Sequence, residues 1–286
     1  MSEKIRKIAN RFPLLFSTVV MVLATILTEI HAEEWLKRFM DYQSACYITG
    51  IVEQGLVSIL LVVLLARLGL LQAAGFTHPS RWKQLWLIWP ILAFSLLNGS
   101  DLLTGAIRLD TSRPVLILLY TLLYISVGFV EEILFRGVMM TVMLKKWGNS
   151  LAGIYLTVIG SSVLFGLLHL VNFIMGRYTL LAVVTQTGYA LFFGVFFAAC
   201  MLRNNSIWPV IFGHFLFDFC GSLNAISVGG TFSRSRETDP QTAWIVILIT
   251  LPLLIYGLVI LRKVKPSDES SNPAMEQKNV QVQAFN

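Results

Sequence analysis

Three stretches of an otherwise apolar chain carry side chains able to hydrolyse a bond. Glu131 and Glu132 stand together, with Arg136 four residues after the second glutamate. Phe165 precedes His169, and His214 precedes Asp218, each at the same spacing of four. On a helix, residues four apart share a face, so each pair presents its two side chains in one direction. All three stretches lie in runs long and apolar enough to read as membrane-crossing. A carboxylate or guanidinium at the bilayer centre costs about 2.5 to 3.5 kcal/mol on insertion scales. Charge held there at that cost points to a functional site, and lipid solvates none of these groups. Each polar face should therefore turn inward, into a common cavity.

That inventory suits hydrolysis. A buried carboxylate can take a proton from water. Imidazoles can orient the water, stabilise a developing oxyanion or bind a metal. Glu131, His169 and His214 make a plausible His₂-carboxylate set for zinc or another divalent metal, with Asp218 as a fourth ligand. Water held by Glu and His alone serves equally well, and the sequence leaves both open.

Plainer readings compete for several residues. Glu132 and Arg136 favour a structural ion pair, since Glu before Arg at four residues is the preferred helical order; Arg136 could alternatively hold a substrate carboxylate. Phe165 reads as packing that shapes the cavity wall. Glu53 and Gln54 read as helix-contact groups or cavity lining. His31 and His78 fall in loops and read as solvated. Cys46, Cys200 and Cys220 have no metal-ligand or redox spacing and read as small packing residues. His-Glu-x-x-His, Gly-x-Ser-Gly, Gly-x-Gly-Asp and Gly-rich phosphate-loop motifs are all absent.

The elements that must position these residues are membrane helices. The chain has 286 residues, 56% of them hydrophobic and 13% charged, against about 25% charged in soluble domains. The expectation is an all-α, polytopic membrane helix bundle of about eight transmembrane helices. The apolar runs are 13–28, 46–66, 85–103, 114–130 (continuing toward 144), 151–171, 180–202, 207–223 and 243–261. No polar linker divides them, so residues 1–262 read as one integral membrane domain. Residues 263–286 are polar and read as a disordered cytoplasmic tail. Pro90, Pro209 and Pro252 are expected to kink helices or mark their starts. The net charge of +6 comes without aromatic-basic interleaving or a long basic run, so a nucleic-acid partner is not expected.

Lys and Arg divide unequally between the alternate connections. Fourteen lie in segments 4–11, 67–83, 145–146, 203 and 262–278; seven lie at 37–38, 108–113, 177 and 234–236. The richer set belongs in the cytoplasm. This predicts a multi-pass protein of the plasma (inner) membrane with both termini cytoplasmic. The flank at Ile30-His31-Ala32 is a poor cleavage site, so the first helix reads as uncleaved.

The ordered set Glu131-Glu132-x-x-x-Arg136, Phe165-x-x-x-His169 and His214-x-x-x-Asp218 resembles the CPBP family, the CAAX-prenyl-protease and bacteriocin-processing (Abi) intramembrane proteases. The resemblance covers about residues 115–223. It implies an eight-helix bundle with its site inside the membrane near the cytoplasmic side, and hydrolysis of peptide bonds. Glu131 is then the general base and His169 helps hold the water. His214 and Asp218 are then the oxyanion side of the site. Eukaryotic CAAX-processing members carry Asn at the last place. An ionised Asp218 would repel an oxyanion, so it must be protonated, orient His214 or ligate a metal. The implied partners are a membrane-associated peptide or protein substrate, possible prenylation included, and the lipid bilayer. Two further readings are an immunity or scaffold protein that keeps the fold without activity, and a proton-coupled transporter using the same groups. The transporter reading lacks the internal repeats and paired broken helices such proteins use.

Overall fold

The computed structural model describes residues 2–77 and 82–266. His78, Arg81 and nearly all of the 263–286 tail lie outside the described residues. The described chain is helical, and its only β pairings are two single-residue bridges, Leu109 with Ser227 and Tyr178 with Arg236. The helices are α1 (Ser2–Arg11), α2 (Pro13–Leu27), α3 (Glu33–Leu36), α4 (Tyr42–Leu68), α5 (Trp89–Asn98), α6 (Ser100–Leu103), α7 (Pro114–Glu132), α8 (Thr141–Trp147), α9 (Leu151–Leu168), α10 (Val171–Ile174), α11 (Leu180–Asn204), α12 (Trp208–Gly221) and α13 (Pro240–Leu261). A π-helix, Ile133–Met140, joins α7 to α8, and short 3₁₀ turns occupy Trp82–Ile88 and Leu223–Ile226.

Helix starts follow local chemistry. The side chains of Asp41, Ser150, Thr179 and Asp239 each accept a hydrogen bond from a first-turn backbone N–H of the helix they precede, satisfying donors that a helix leaves orphaned. Prolines stand at the first turns of α2, α5, α7, α12 and α13, where no N–H is needed. Pro90 and Pro209 thus mark starts, whereas Pro252 lies inside α13.

Five helical stretches are long and apolar enough to cross a membrane: Tyr42–Leu68, Pro114–Trp147, Leu151–Ile174, Leu180–Asn204 and Pro240–Leu261. α1 and α2 give a sixth if counted together, though they meet at a bend of 114°. The expected count of about eight is therefore not reached by length and composition. The run 85–103 is divided among a 3₁₀ turn, α5 and α6. The run 207–223 yields only the 14-residue α12, shorter than the roughly 20 residues that a hydrocarbon core requires. The first run is broken and the second is short, and α12 is enclosed by protein on the side that carries His214.

Large apolar residues such as Leu23 on α2, Ile59 on α4 and Leu248 on α13 are exposed, as on a surface solvated by acyl chains. α11 is the reverse. Phe196, Phe197, Ala198 and Ala199 are consecutive and all fully buried, the mark of a helix enclosed on every side. α9 and α13 pack along it, while α7 packs on α4 and α12.

Two glycines set the approach of the helices that bear the charges. A Cβ on Gly128 of α7 would lie 2.8 Å from the backbone nitrogen of Phe215 in α12, and one on Gly166 of α9 would lie 2.7 Å from the carbonyl oxygen of Thr187 in α11. Backbones in near contact are how small residues bring membrane helices together. Gly128 is three residues before Glu131, and Phe215 follows His214, so this contact brings the acidic pair to the imidazole.

The ends of the bundle are distinct. At one end Arg6 donates to the Arg67 carbonyl, Ile207 N–H to the Gly75 carbonyl and Arg203 to the Lys263 carbonyl. This gathers α1, the end of α4, the α11–α12 turn and the end of α13, and is called here the basic end. At the other end, Arg177 pairs with Glu29, Arg234 with Glu33 and Gln43 with the Ala225 carbonyl. This is called the rim.

Candidate active site

The site is built at the junction where α7 passes into the π-helix. The wider turn of a π-helix often accompanies functional positions. Here the Thr141 hydroxyl donates to the Arg136 carbonyl at 3.1 Å, five residues back. Glu132, fully buried, has two nitrogens close to one oxygen: His214 Nδ1, hydrogen-bonded at 2.7 Å, and Arg136 Nη1, an ion-pair contact at 3.0 Å from Oε1. The sequence-predicted pair Glu132–Arg136 is therefore present, and it is also the support for His214. The Arg136 contact is close in distance but poorly aligned, because neither terminal nitrogen makes a hydrogen bond among the described residues. Its guanidinium lies instead over the rings of Phe165, at 4.6 Å, and Phe197, at 5.5 Å. Aromatic faces are a favourable setting for a desolvated cation.

Carboxylate oxygens only accept, so Nδ1 of His214 donates to Glu132 and Nε2 faces the other way. There it lies 3.5 Å from Glu131 Oε2 and 3.4 Å from Asp218 Oδ2. The ring stacks on Phe197 and meets the edge of Phe165. His169 sits just past the end of α9, and its Nδ1 is 3.0 Å from the Phe165 carbonyl oxygen. A carbonyl also only accepts, so Nδ1 donates and Nε2 is left as the acceptor. Phe165 touches His169, His214, Phe135 and Arg136 together. It is the wall expected from the sequence, and also the shared contact of both imidazoles.

Glu131, His169, His214 and Asp218 line one cavity of about 610 Å³. Glu132 and Arg136 do not line it. The Arg136 side chain is 2% exposed. Glu53 and Gln54 do line the cavity. Gln54 accepts from the Ser126 hydroxyl at 2.9 Å, and Glu53 Oε1 is buried without a hydrogen-bond partner among the described residues. His31 lies in a loop as expected but also lines the cavity, 3.8 Å from Glu29.

Sequence reasoning did not single out the rim. Arg177, Arg234 and Arg236 line the mouth. Arg177 forms a two-point pair with Glu29, and Arg234 pairs with Glu33. Burial works against the charge of Arg234, but Glu33 outweighs it and the guanidinium is held above its usual range. Arg236 leans on the Tyr178 ring. Loop arginines with no regular spacing left no pattern to find; only the folded loops bring these three to one mouth.

Metal fit can be tested on the donor set. No group of three or more His, Cys, Asp or Glu side chains among the described residues is arranged to hold a metal ion. Nδ1 of His214 is taken by Glu132 and Nδ1 of His169 by a carbonyl, so each ring is left with Nε2. The residues as placed do not fit a zinc site.

Residues 113–220 match the family model described as Type II CAAX prenyl endopeptidase Rce1-like. This stretch is an Rce1-like CAAX endopeptidase domain. The match begins just before α7 and ends within α12, so it takes in all three motifs. No curated protein and no solved structure matches the chain. With its apolar helices and this family match, the chain is an integral membrane protein.

Proposed function

We propose that the chain is an intramembrane endopeptidase that hydrolyses peptide bonds of membrane-associated or hydrophobic peptides with a water activated by Glu131. The observation that carries this reading is the cavity wall, where Glu131 stands 3.5 Å from Nε2 of His214 beside Asp218 and His169. Glu131 takes a proton from water as the oxygen adds to the scissile carbonyl. His169 Nε2 accepts the water's other hydrogen and fixes its direction. His214, when protonated, donates from Nε2 to the oxyanion, while Glu132 holds Nδ1. Glu131 then passes its proton to the leaving amine as the C–N bond breaks. Asp218, 3.4 Å from the same Nε2, holds the ring from the side opposite Glu132 until the oxyanion takes over that N–H. No step passes through a metal.

Prenylated peptides are one substrate class that such a domain suggests. The Lys and Arg distribution supports a plasma-membrane protein with both termini cytoplasmic. The test is cleavage of an internally quenched fluorogenic peptide library by the purified chain, compared with Glu131→Gln and His214→Ala. Cleavage lost in both, with folding intact, supports the reading. Undiminished cleavage in Glu131→Gln sinks it.

A further inference from the structure

The resemblance to CAAX proteases leads one to expect a site open toward the cytoplasm. The cavity opens elsewhere. Its mouth is lined by Glu29 and Glu33 from the α2–α4 connection, Arg177 and Tyr178 from the α10–α11 turn, and Arg234 and Arg236 from the α12–α13 loop. All of these belong to the rim. At its inner end lie Leu134, Phe165, Phe197 and His214. Beneath them Arg136 and Phe135, both buried, close the floor. No residue of the basic-end connections 69–77, 145–150, 203–208 or 262–266 lines the cavity.

The two ends also differ in charge. Among the described residues, the connections of the basic end hold twelve Lys and Arg residues and those of the rim hold seven. The rim connections are short, which is where this bias governs orientation. Acidic residues contribute little to that rule, so the rim's glutamates do not weaken it.

We infer that the cavity opens on the non-cytoplasmic face of the membrane and takes peptide segments presented there. This rests on reading the cavity as the peptide site. The substrate is thus an exported or membrane-anchored peptide whose scissile bond lies on the far side of the bilayer from the two termini. It enters among Arg177, Arg234 and Arg236 and reaches Glu131 from that side. A cytosolic peptide would meet the closed floor instead.

Two experiments test this, one independent of activity. In a background of Cys46→Ser, Cys200→Ser and Cys220→Ser, Thr231→Cys at the mouth and Lys146→Cys at the basic end are each exposed to a membrane-impermeant maleimide. Thr231→Cys is expected to label in intact cells, and Lys146→Cys only after permeabilisation. Failure of the first, or labelling of the second in intact cells, overturns the inference. The unsubstituted chain is then assayed with a membrane-impermeant quenched peptide library in oriented vesicles. Right-side-out vesicles are expected to cleave it, and inside-out vesicles only after detergent. The reverse order overturns the sidedness and leaves the protease reading standing. No cleavage even in detergent overturns the protease reading, and the labelling result still decides which way the mouth faces.

Discussion

The floor and the rim of the cavity both carry Arg–Glu pairs, and the two are physically unlike. At the floor, Arg136 and Glu132 are 2% and 0% exposed, and the same glutamate oxygen also holds His214. At the rim, Arg177 and Glu29 are 16% and 13% exposed, with each cation matched to one carboxylate. A pair cut off from water cannot be dismantled from one side without stranding a charge. A pair that water reaches can be rehydrated on loss of its partner. The floor therefore fixes the imidazole in place, whereas the rim ties loops together at low cost.

Substitutions can break or sharpen that contrast. The largest effect is expected at Glu131, whose conversion to Gln should lower peptide cleavage about 10²- to 10⁴-fold, the usual worth of a general base. Thermal unfolding should stay unchanged, because Glu131 borders the cavity and holds up nothing. A rate near that of the unaltered protein would remove it from the chemistry. Next comes Arg136→Met, which strands Glu132 and should destabilise the fold by about 3 to 5 kcal/mol, measured by unfolding in detergent. The exchange Glu132→Arg with Arg136→Glu should fail to restore stability, since an arginine at 132 would face His214 as a second donor. Full rescue would show that the floor is a simple pair after all.

A smaller loss is expected from Gly128→Val, which thrusts a side chain into the α12 backbone; overpacking of this kind costs about 1 to 3 kcal/mol. Activity should fall further than stability, because the displaced helix carries His214. Equal losses would argue that Gly128 serves packing alone. At the rim, Arg177→Ala should cost no more than about 1 kcal/mol, the range of a water-reached pair; a loss as large as that of Arg136→Met would erase the distinction between the two regions. The least effect belongs to chelation. Treating the purified protein with a divalent-metal chelator should leave its cleavage rate unchanged. Stoichiometric zinc that disappears in His214→Ala would instead require a ligand arrangement different from the one described.

Much of the floor was legible beforehand. Charged residues in apolar runs are rare and costly, so Glu131, Glu132, Arg136, His169, His214 and Asp218 stood out by type and depth alone. The pairing of Glu132 with Arg136 followed from helical spacing. The helix count was less legible. Hydropathy sums over a window and does not register that 85–103 is broken into short pieces, or that α12 spans only 14 residues. The rim arginines were not legible, because loops carry no period.

Composition and local spacing determined that this is a helical membrane protein with an acid–imidazole inventory suited to hydrolysis, because the cost of burying charge in lipid is paid residue by residue and is visible in a string. Which glutamate does what was decided only by packing. The close approach at Gly128 and the widened turn after α7 put Glu132 beneath His214 and Glu131 beside it in the cavity. The two differ by a single step along the chain. Neighbours on a helix point about 100° apart, and which of the two meets the cavity is set by the rotation of the helix against its neighbours, a property of the assembled bundle and of no segment taken alone.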